Sequence, residues 1–252
     1  MNMQLFRSFR AALLAAAMLG VATPVASDEL KLVAENWPPY IDAGAMNDGF
    51  LADLITTAFT AAGYHPKLKL VSWTEALENA RAGDYDVLAG AWYSREREQD
   101  FVFSDAFLTN DLRVVKDAER AFVFDGIESL EGRTVGIVKD YAYVDVAGGT
   151  DGIELVEHET VADALESLIE GRVELVVADH RVARYYLSQN WPLAVKRVEF
   201  LPTPLSSRPL HVAVSRNNPD HEEIVARFNE AIRTMEVDGA IRRLAASHRF
   251  NL

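Results

Sequence analysis

Two stretches of the chain share one pattern of apolar and polar residues. Each begins with a hydroxyl residue that an acid follows three positions later, Ser72 with Glu75 and Thr160 with Asp163. This spacing is the capping-box pattern, which predicts the first turn of a helix. Apolar residues then recur at helical spacing up to a glycine, and a short apolar run follows at once. Each copy therefore predicts a helix, a glycine C-cap (Gly83 or Gly171) and a buried strand (about 85–89 or 173–178).

The remaining pattern alternates strands with helices in the same way. In the first half, strand 30–34 ends before the prolines that follow Trp37, and a helix over about 51–62 leads to strand 67–71. In the second half, strand 133–138 leads through a short helix near Asp140 to strand 153–156. Strand 209–214 and two helices, about 219–237 and 239–247, close the chain. Such alternation is typical of parallel sheets.

We therefore predict an α/β fold of two lobes, each a mainly parallel sheet flanked by helices. Residues 28–110 and 213–252 form lobe 1 and residues 111–212 form lobe 2, so that the chain crosses between them twice. Two crossings without a long flexible linker predict a hinge and a cleft. Because open α/β sheets bind ligands at the carboxyl ends of their strands, the first candidates for a site follow Ala89 and Val177.

The first 27 residues predict a secretory signal peptide. Arg7 and Arg10 precede an apolar run over 11–22, and the small residues Val25 and Ser27 suit cleavage before Asp28. The apolar run is short for a membrane span, although an uncleaved anchor is the alternative. The chain has no cysteine, which excludes disulfides, thiolate metal sites and a lipid-attachment cysteine. For a bacterial source we expect a periplasmic protein without a lipid anchor.

Composition and the absence of known motifs exclude several classes of function. The formal net charge of −13 disfavours nucleic acids and anionic membranes as partners. The six histidines are scattered without metal-ligand spacing, and the chain contains no serine elbow, phosphate loop or dinucleotide fingerprint. We therefore expect no metal, no cofactor and no catalytic residues.

The segment over residues 90–107 gives a specific resemblance. Ser94 and Arg97 stand as in a Thr-x-x-Arg element, and the stretch from Phe103 to Phe107 is similar to Phe-Ser-x-Pro-Tyr. In this order and spacing the chain resembles the family 3 extracellular solute-binding proteins, the periplasmic polar amino-acid receptors of ABC importers. The resemblance extends from Trp37 to the terminal helices and implies the type II periplasmic binding fold.

The resemblance implies roles for three charged or polar residues. Arg97 would grip the ligand's α-carboxylate with two parallel bonds, and its alternative is a surface salt bridge to Glu96 or Asp100. Ser94 would assist at the carboxylate, or cap a helix instead. Asp179 would receive the ligand's α-ammonium group, or cap the helix that begins after it.

The resemblance also implies a set of cleft residues around the ligand. Trp37 would cover the ligand side chain, and Trp92 replaces a small hydroxyl residue of the relatives. Tyr141 and Ala142 would offer helix N-terminal amides to a carboxylate, where relatives carry Gly-Thr or Gly-Ser in place of Asp140 and Tyr141. We interpret Trp37, Trp92, Tyr141 and Tyr143 as an aromatic cage for an apolar, aromatic or cationic group, with core packing as the alternative. Glu35 is a further candidate for a cationic ligand, or a plain polar strand end.

The function implied is a monomeric receptor that closes on a small amino acid or related carboxylate and delivers it to an ABC permease. Two alternatives stay open. Cyclohexadienyl dehydratases resemble these receptors, and Glu35, Asp179 or His180 could supply the acid or base of such an enzyme. A receptor that docks on a membrane-bound sensor is the other. The sequence names neither the ligand nor the permease.

Overall fold

The computed structural model describes residues 29–141 and 152–252, which form an α/β fold around one curled mixed sheet. The strands follow the order β2-β1-β3-β10-β5-β8-β6-β7, while β4 pairs with β10 and β9 pairs with β5. Their bounds are β1 Glu29–Glu35, β2 His65–Val71, β3 Val87–Trp92, β4 Phe101–Phe103, β5 Leu108–Asp117, β6 Thr134–Val138, β7 Glu154–His158, β8 Leu175–Asp179, β9 Val198–Phe200 and β10 Ser206–Ser215.

The sheet consists of two parallel groups joined by two antiparallel strands. On one side β1 pairs in parallel with β2 and β3, and on the other β6 pairs in parallel with β7 and β8. Between them, β10 is antiparallel to β3 and β5, and β5 is antiparallel to β8. The two lobe boundaries expected from the sequence, at 110/111 and 212/213, fall inside β5 and β10 respectively.

Helices cover both faces of this sheet because each buries one apolar stripe. In α1, for example, the buried Phe59 packs against Phe228 of α5, with ring centroids 4.8 Å apart and the rings tilted by 40°. The helices within the described ranges are α1 Phe50–Ala61, α2 Trp73–Ala82, α3 Val161–Ile169, α4 His180–Asn190, α5 His221–Val237 and α6 Ala240–Ser247. None of them is long and apolar enough to cross a membrane.

The repeated helix-glycine-strand unit is confirmed in both copies. Ser72 accepts a hydrogen bond from the Glu75 backbone N–H at 3.3 Å and so starts α2. Thr160 starts α3 with the full reciprocal capping box. The glycine that follows each helix adopts a positive φ, +87° at Gly83 and +77° at Gly171, which a residue with a Cβ adopts only with strain.

The hydrophobic pattern missed three strands. β4 and β9 have three residues each, too few to show an alternation. The first half of β5 (Leu108–Asp117) is polar, and its buried Asn110 does not resemble a core position in the sequence. The signal peptide over residues 1–27 and most of the short helix expected near Asp140 lie outside the described residues.

Candidate functional site

A cavity lies where β1 and β3 end. Because these two strands are parallel neighbours, the residues that follow them meet at one edge of the sheet. Tyr141, which follows β6, completes the wall from the other parallel group. The cavity holds about 360 Å³ of empty space, including the part that opens to solvent. Its lining consists of Glu35, Trp37, Ile41, Trp73, Ala89, Gly90, Trp92, Arg97 and Tyr141.

A wider groove continues from the cavity on the other side of Arg97. It shares Arg97 and Tyr141 with the cavity and adds mostly polar side chains. Including open solvent, it holds about 820 Å³ of empty space. The groove is lined by Leu77, Arg81, Ser94, Glu96, Arg97, Ile137, Val138, Asp140, Tyr141, Leu155 and Glu157.

Arg97 is a buried guanidinium that has no acidic partner among the residues that the structure describes. Its side chain is only 3% exposed, and it donates to the carbonyl oxygens of Trp92 (2.9 Å) and Asp140 (2.6 Å). Its Cζ lies 5.0 Å from the Trp73 ring centroid, within cation–π range. It forms no ion pair with a carboxylate in the ranges 29–141 and 152–252. Burial, with a smaller contribution from Arg81, lowers the pKa of Arg97 to about 10.

The salt bridge that the sequence offered as an alternative for Arg97 is taken by another residue. Arg81 contacts Glu96 at 2.6 Å and Asp100 at 3.0 Å. Ser94 accepts a hydrogen bond from the Arg97 backbone N–H at 3.2 Å and so helps to start the 3-10 turn Arg97–Gln99. Ser94 is buried, and it lines the groove but is not among the residues that line the cavity.

Glu35, the last residue of β1, brings the opposite charge to the same cavity. The Tyr141 hydroxyl donates a hydrogen bond to its carboxylate, and no cationic side chain in the described part of the chain forms an ion pair with it. Burial raises the pKa of Glu35 to about 7, although the hydrogen bond from Tyr141 acts in the opposite direction. A carboxyl group with this pKa changes its charge near neutral pH.

Four aromatic side chains surround these two charges. Trp37 stands edge-on to Trp92, with ring centroids 6.1 Å apart, and Tyr141 lies 5.3 Å from Trp92 and 5.7 Å from Trp73. The indole N–H of Trp92 donates to Asn110 at 2.9 Å. The indole N–H of Trp37 is buried and has no acceptor among the described residues. It is therefore a donor that a bound molecule could use.

Asp140 closes the far side of the site. Its backbone carbonyl accepts hydrogen bonds from both Arg97 (2.6 Å) and the Trp73 indole N–H (3.0 Å), and its carboxylate accepts one from Thr74 (2.7 Å). Asp140 has a positive φ of +59°, which an aspartate adopts more readily than most residues. The residue after β6 is thereby tied to the start of α2.

Asp179 occupies the capping position that the sequence left as its alternative role. One of its oxygens accepts from the backbone N–H groups of Arg181 (2.8 Å) and Val182 (3.0 Å) at the start of α4. The other accepts from the Tyr40 hydroxyl at 2.9 Å. Burial raises the pKa of Asp179, and burial together with the charge of Asp179 also raises that of Tyr40. Asp179 is 2% exposed and is not among the residues that line the cavity.

Of the seven ligand-binding residues expected from the sequence, Trp37, Trp92, Arg97 and Tyr141 line one cavity. Ser94 lies in the adjoining groove, and Asp179 lies apart at the start of α4. Ala142, together with the further cage candidate Tyr143, lies outside the described residues. The expectation that these residues bind a ligand stays a prediction.

Sequence reasoning missed Trp73, whereas it offered Glu35 as a further candidate for a cationic ligand. Trp73 is the first residue of α2 and fits the apolar stripe of that helix, so nothing in its spacing distinguishes it from a core residue. Glu35 is the last residue of β1, and an acid at the carboxyl end of a strand is the signal that marks it. Within the described ranges, no cluster of three or more His, Asp or Glu side chains could hold a metal ion.

Comparisons with known proteins show the family and the fold of this chain. The chain belongs to the bacterial extracellular solute-binding proteins, family 3, whose model matches residues 31–250. The fold is that of the periplasmic binding proteins, as expected.

A histidine kinase sensor domain with similarity to periplasmic binding proteins has a TM-score of 0.75 and 21% identity, covering 87% of this chain and 95% of that one. The substrate-binding protein of an amino acid ABC transporter has a TM-score of 0.71 and 19% identity, covering 87% of this chain and 98% of that one. Among curated relatives, the sensor protein EvgS of Escherichia coli O157:H7 is 24% identical over 209 residues, which are 79% of this chain and 17% of EvgS. The chain thus spans a small part of that relative's length.

Proposed function

We propose that this protein is a periplasmic receptor that closes on a small amino acid or a related carboxylate, with Arg97 as the anchor for the carboxylate. The observation that carries the proposal is the burial of Arg97 in an aromatic cavity without an acidic partner in the described part of the chain. A buried charge is costly unless an opposite charge or several hydrogen bonds compensate it. A planar guanidinium matches the two oxygens of a carboxylate, which would supply that compensation.

Closure would bring the two parallel groups of strands together around the ligand. We propose that β5 and β10, which join these groups, are the two hinge crossings between lobe 1 (28–110 and 213–252) and lobe 2 (111–212). Trp37, Trp73, Trp92 and Arg97 would then belong to lobe 1, and Asp140 and Tyr141 to lobe 2. The hydrogen bonds that Asp140 accepts from Arg97 and Trp73 would be contacts between lobes that a ligand strengthens or replaces.

Delivery to an ABC permease by a monomeric receptor is the use that the family favours. Input to a membrane sensor is the second candidate, and it is favoured by the similarity to the histidine kinase sensor domain and to EvgS. Both uses need the same ligand-dependent closure. The family consists of binding proteins, which favours binding without turnover over the dehydratase alternative.

The test is a thermal-shift screen of residues 28–252 against the twenty amino acids and a set of small carboxylates, followed by calorimetry on any that bind. A ligand that binds only the folded state raises the melting temperature. Arg97→Ala should weaken binding by about tenfold or more, since hydrogen bonds to a charged group contribute about 1.5–3 kcal/mol.

Arg233→Ala is the matched control, because Arg233 forms its ion pairs with Asp105 and Glu230 on the surface and should leave affinity unchanged. Equal affinity of the Arg97→Ala variant and the parent would contradict the proposal. Release of a product from prephenate or arogenate by the wild-type protein would instead favour the enzyme.

A further inference from the structure

The cavity contains two ionisable groups of opposite sign, the buried Arg97 and the partly buried Glu35, that are not paired with each other. The Arg97 guanidinium donates to the backbone carbonyls of Trp92 and Asp140, and Glu35 accepts from a tyrosine hydroxyl. In the ranges 29–141 and 152–252, neither group has a counter-ion from the protein. Placing a guanidinium and a carboxylate in one desolvated cavity without pairing them is costly, so their charged forms need compensation from elsewhere.

Consecutive residues of one segment contact the two groups. The Asp140 carbonyl oxygen accepts from Arg97, as the oxygen of a carboxylate would. The Tyr141 hydroxyl donates to Glu35, as an ammonium or guanidinium group would. Asp140 and Tyr141 together thus offer the two functional groups, an acceptor and a donor, that a dipolar small molecule would carry.

The rings around Glu35 favour the same chemistry. Trp37, Trp92 and Tyr141 line the cavity together with it, and aromatic faces attract cations in a desolvated site. An apolar group placed there would leave the carboxylate dry and without a partner. A cationic group would be held by the carboxylate and the rings at once.

We propose that Glu35 determines specificity by binding a cationic group of the ligand, an ammonium or a guanidinium, while Arg97 binds its carboxylate. The Asp140 carbonyl and the Tyr141 hydroxyl hold these two groups until the ligand replaces them. This inference rests on the proposed function and adds to it the residue that binds the cationic group of the ligand. It develops the candidate role that the sequence gave Glu35 for a cationic ligand, and it differs from the expectation that Asp179 receives the ligand's ammonium group.

The test compares carboxylates that differ in the presence and position of a cation. The probes are hexanoate, which has none, L-norleucine, 6-aminohexanoate and L-lysine, each titrated by calorimetry into residues 28–252. We expect at least one amino-bearing probe to bind about tenfold or more tightly than hexanoate. In Glu35→Gln this preference for the amino-bearing probe over hexanoate should disappear.

Two further variants control the result. Glu157→Gln removes an exposed acid of the adjoining groove and should keep the preference. Glu35→Asp keeps a carboxylate and should keep part of the preference, which separates loss of charge from loss of folding. Circular dichroism melting verifies that each variant is folded.

Failure of this inference and failure of the proposed function give different results. Hexanoate binding as tightly as every amino-bearing probe, or a preference that survives in Glu35→Gln, would overturn the role of Glu35 and leave Arg97 as the anchor. No binding by any of the four probes, together with no thermal shift from any compound of the screen, would overturn the proposed function and this inference with it.

Discussion

Arg97 and Asp140 are joined by a 2.6 Å hydrogen bond from the guanidinium Nη2 to the backbone carbonyl oxygen. Arg97 follows β3 and Asp140 follows β6, so the bond connects the carboxyl ends of strands from the two parallel groups of the sheet. A backbone carbonyl is a weaker partner for a guanidinium than a carboxylate. The bond therefore satisfies Arg97 in part and leaves it available to a stronger acceptor.

The stability of the protein should depend on pH through Glu35. The folded-state pKa of Glu35 is raised from 4.5 to about 7, so between these values the folded state binds more protons than the unfolded state. The free energy of unfolding should then fall as pH rises from about 4.5 to 7, by up to about 3 kcal/mol from this group. Glu35→Gln, which is neutral at every pH, should lack this component.

The measurement is urea denaturation of both proteins without ligand at pH 5, 6, 7 and 8. The stability of Glu35→Gln relative to the parent should increase over this range. A difference that stays constant from pH 5 to pH 8 would show that the Glu35 carboxyl is not perturbed in the folded state.

The Tyr40 hydroxyl should stabilise the fold through Asp179. Tyr40→Phe leaves one oxygen of a buried carboxylate without its donor, which should lower the free energy of unfolding by about 1–3 kcal/mol. Tyr185→Phe is the matched control, because the Tyr185 hydroxyl contacts Asp42 at 3.3 Å in a less buried position. Its removal should therefore lower the free energy of unfolding by less. Denaturant titration compares the two, and equal losses would refute the special role of the buried bond.

The two repeated helix starts should differ in strength. Thr160 has the complete capping box, whereas Ser72 accepts a single bond of 3.3 Å. Thr160→Ala should cost about 1–2 kcal/mol of stability, and Ser72→Ala should lie at the lower end of the range for N-caps, about 0.5–1 kcal/mol. Thermal unfolding of the two variants shows which N-cap contributes more stability. A larger loss of stability in Ser72→Ala than in Thr160→Ala would contradict the prediction.

The two cavity tryptophans should respond differently to replacement by phenylalanine. Trp92→Phe removes the donor to the fully buried Asn110 and should destabilise the protein by about 1–3 kcal/mol beyond the lost ring volume. Trp37→Phe removes an N–H that has no acceptor in the described part of the chain, so it should cost less stability and more ligand affinity. Chemical denaturation and ligand titration of both variants provide the comparison. A larger loss of stability in Trp37→Phe than in Trp92→Phe would contradict this prediction.

The sequence predicted the parts of the fold that local chemistry controls. Capping residues, apolar periodicity and helix-ending glycines located α2 and α3 and the strands that follow them, because each signal acts within a few residues. β5 escaped prediction because its pairing with β8 and β10 depends on distant partners and its first half is polar.

The sequence predicted site residues only where a motif of the family marked their positions. Arg97 was found through the family motif around it, and its burial without an acidic partner became visible only when Glu96 and Asp100 were seen to pair with Arg81. Trp73 was missed, and Glu35 kept a plain polar strand end as its alternative, because the role of either side chain depends on the residues that face it across the cavity. The periodicity of apolar residues along the chain does not predict which side chains face each other across a cavity.

The most direct measurement is a crystal structure of residues 28–252 with a carboxylate that stabilises the protein in the thermal-shift screen. The account predicts that both oxygens of the ligand's carboxylate lie within hydrogen-bond distance of the Arg97 guanidinium, inside the cavity lined by Trp37, Trp73 and Trp92. A ligand bound elsewhere, with Arg97 still donating only to the carbonyls of Trp92 and Asp140, would contradict it.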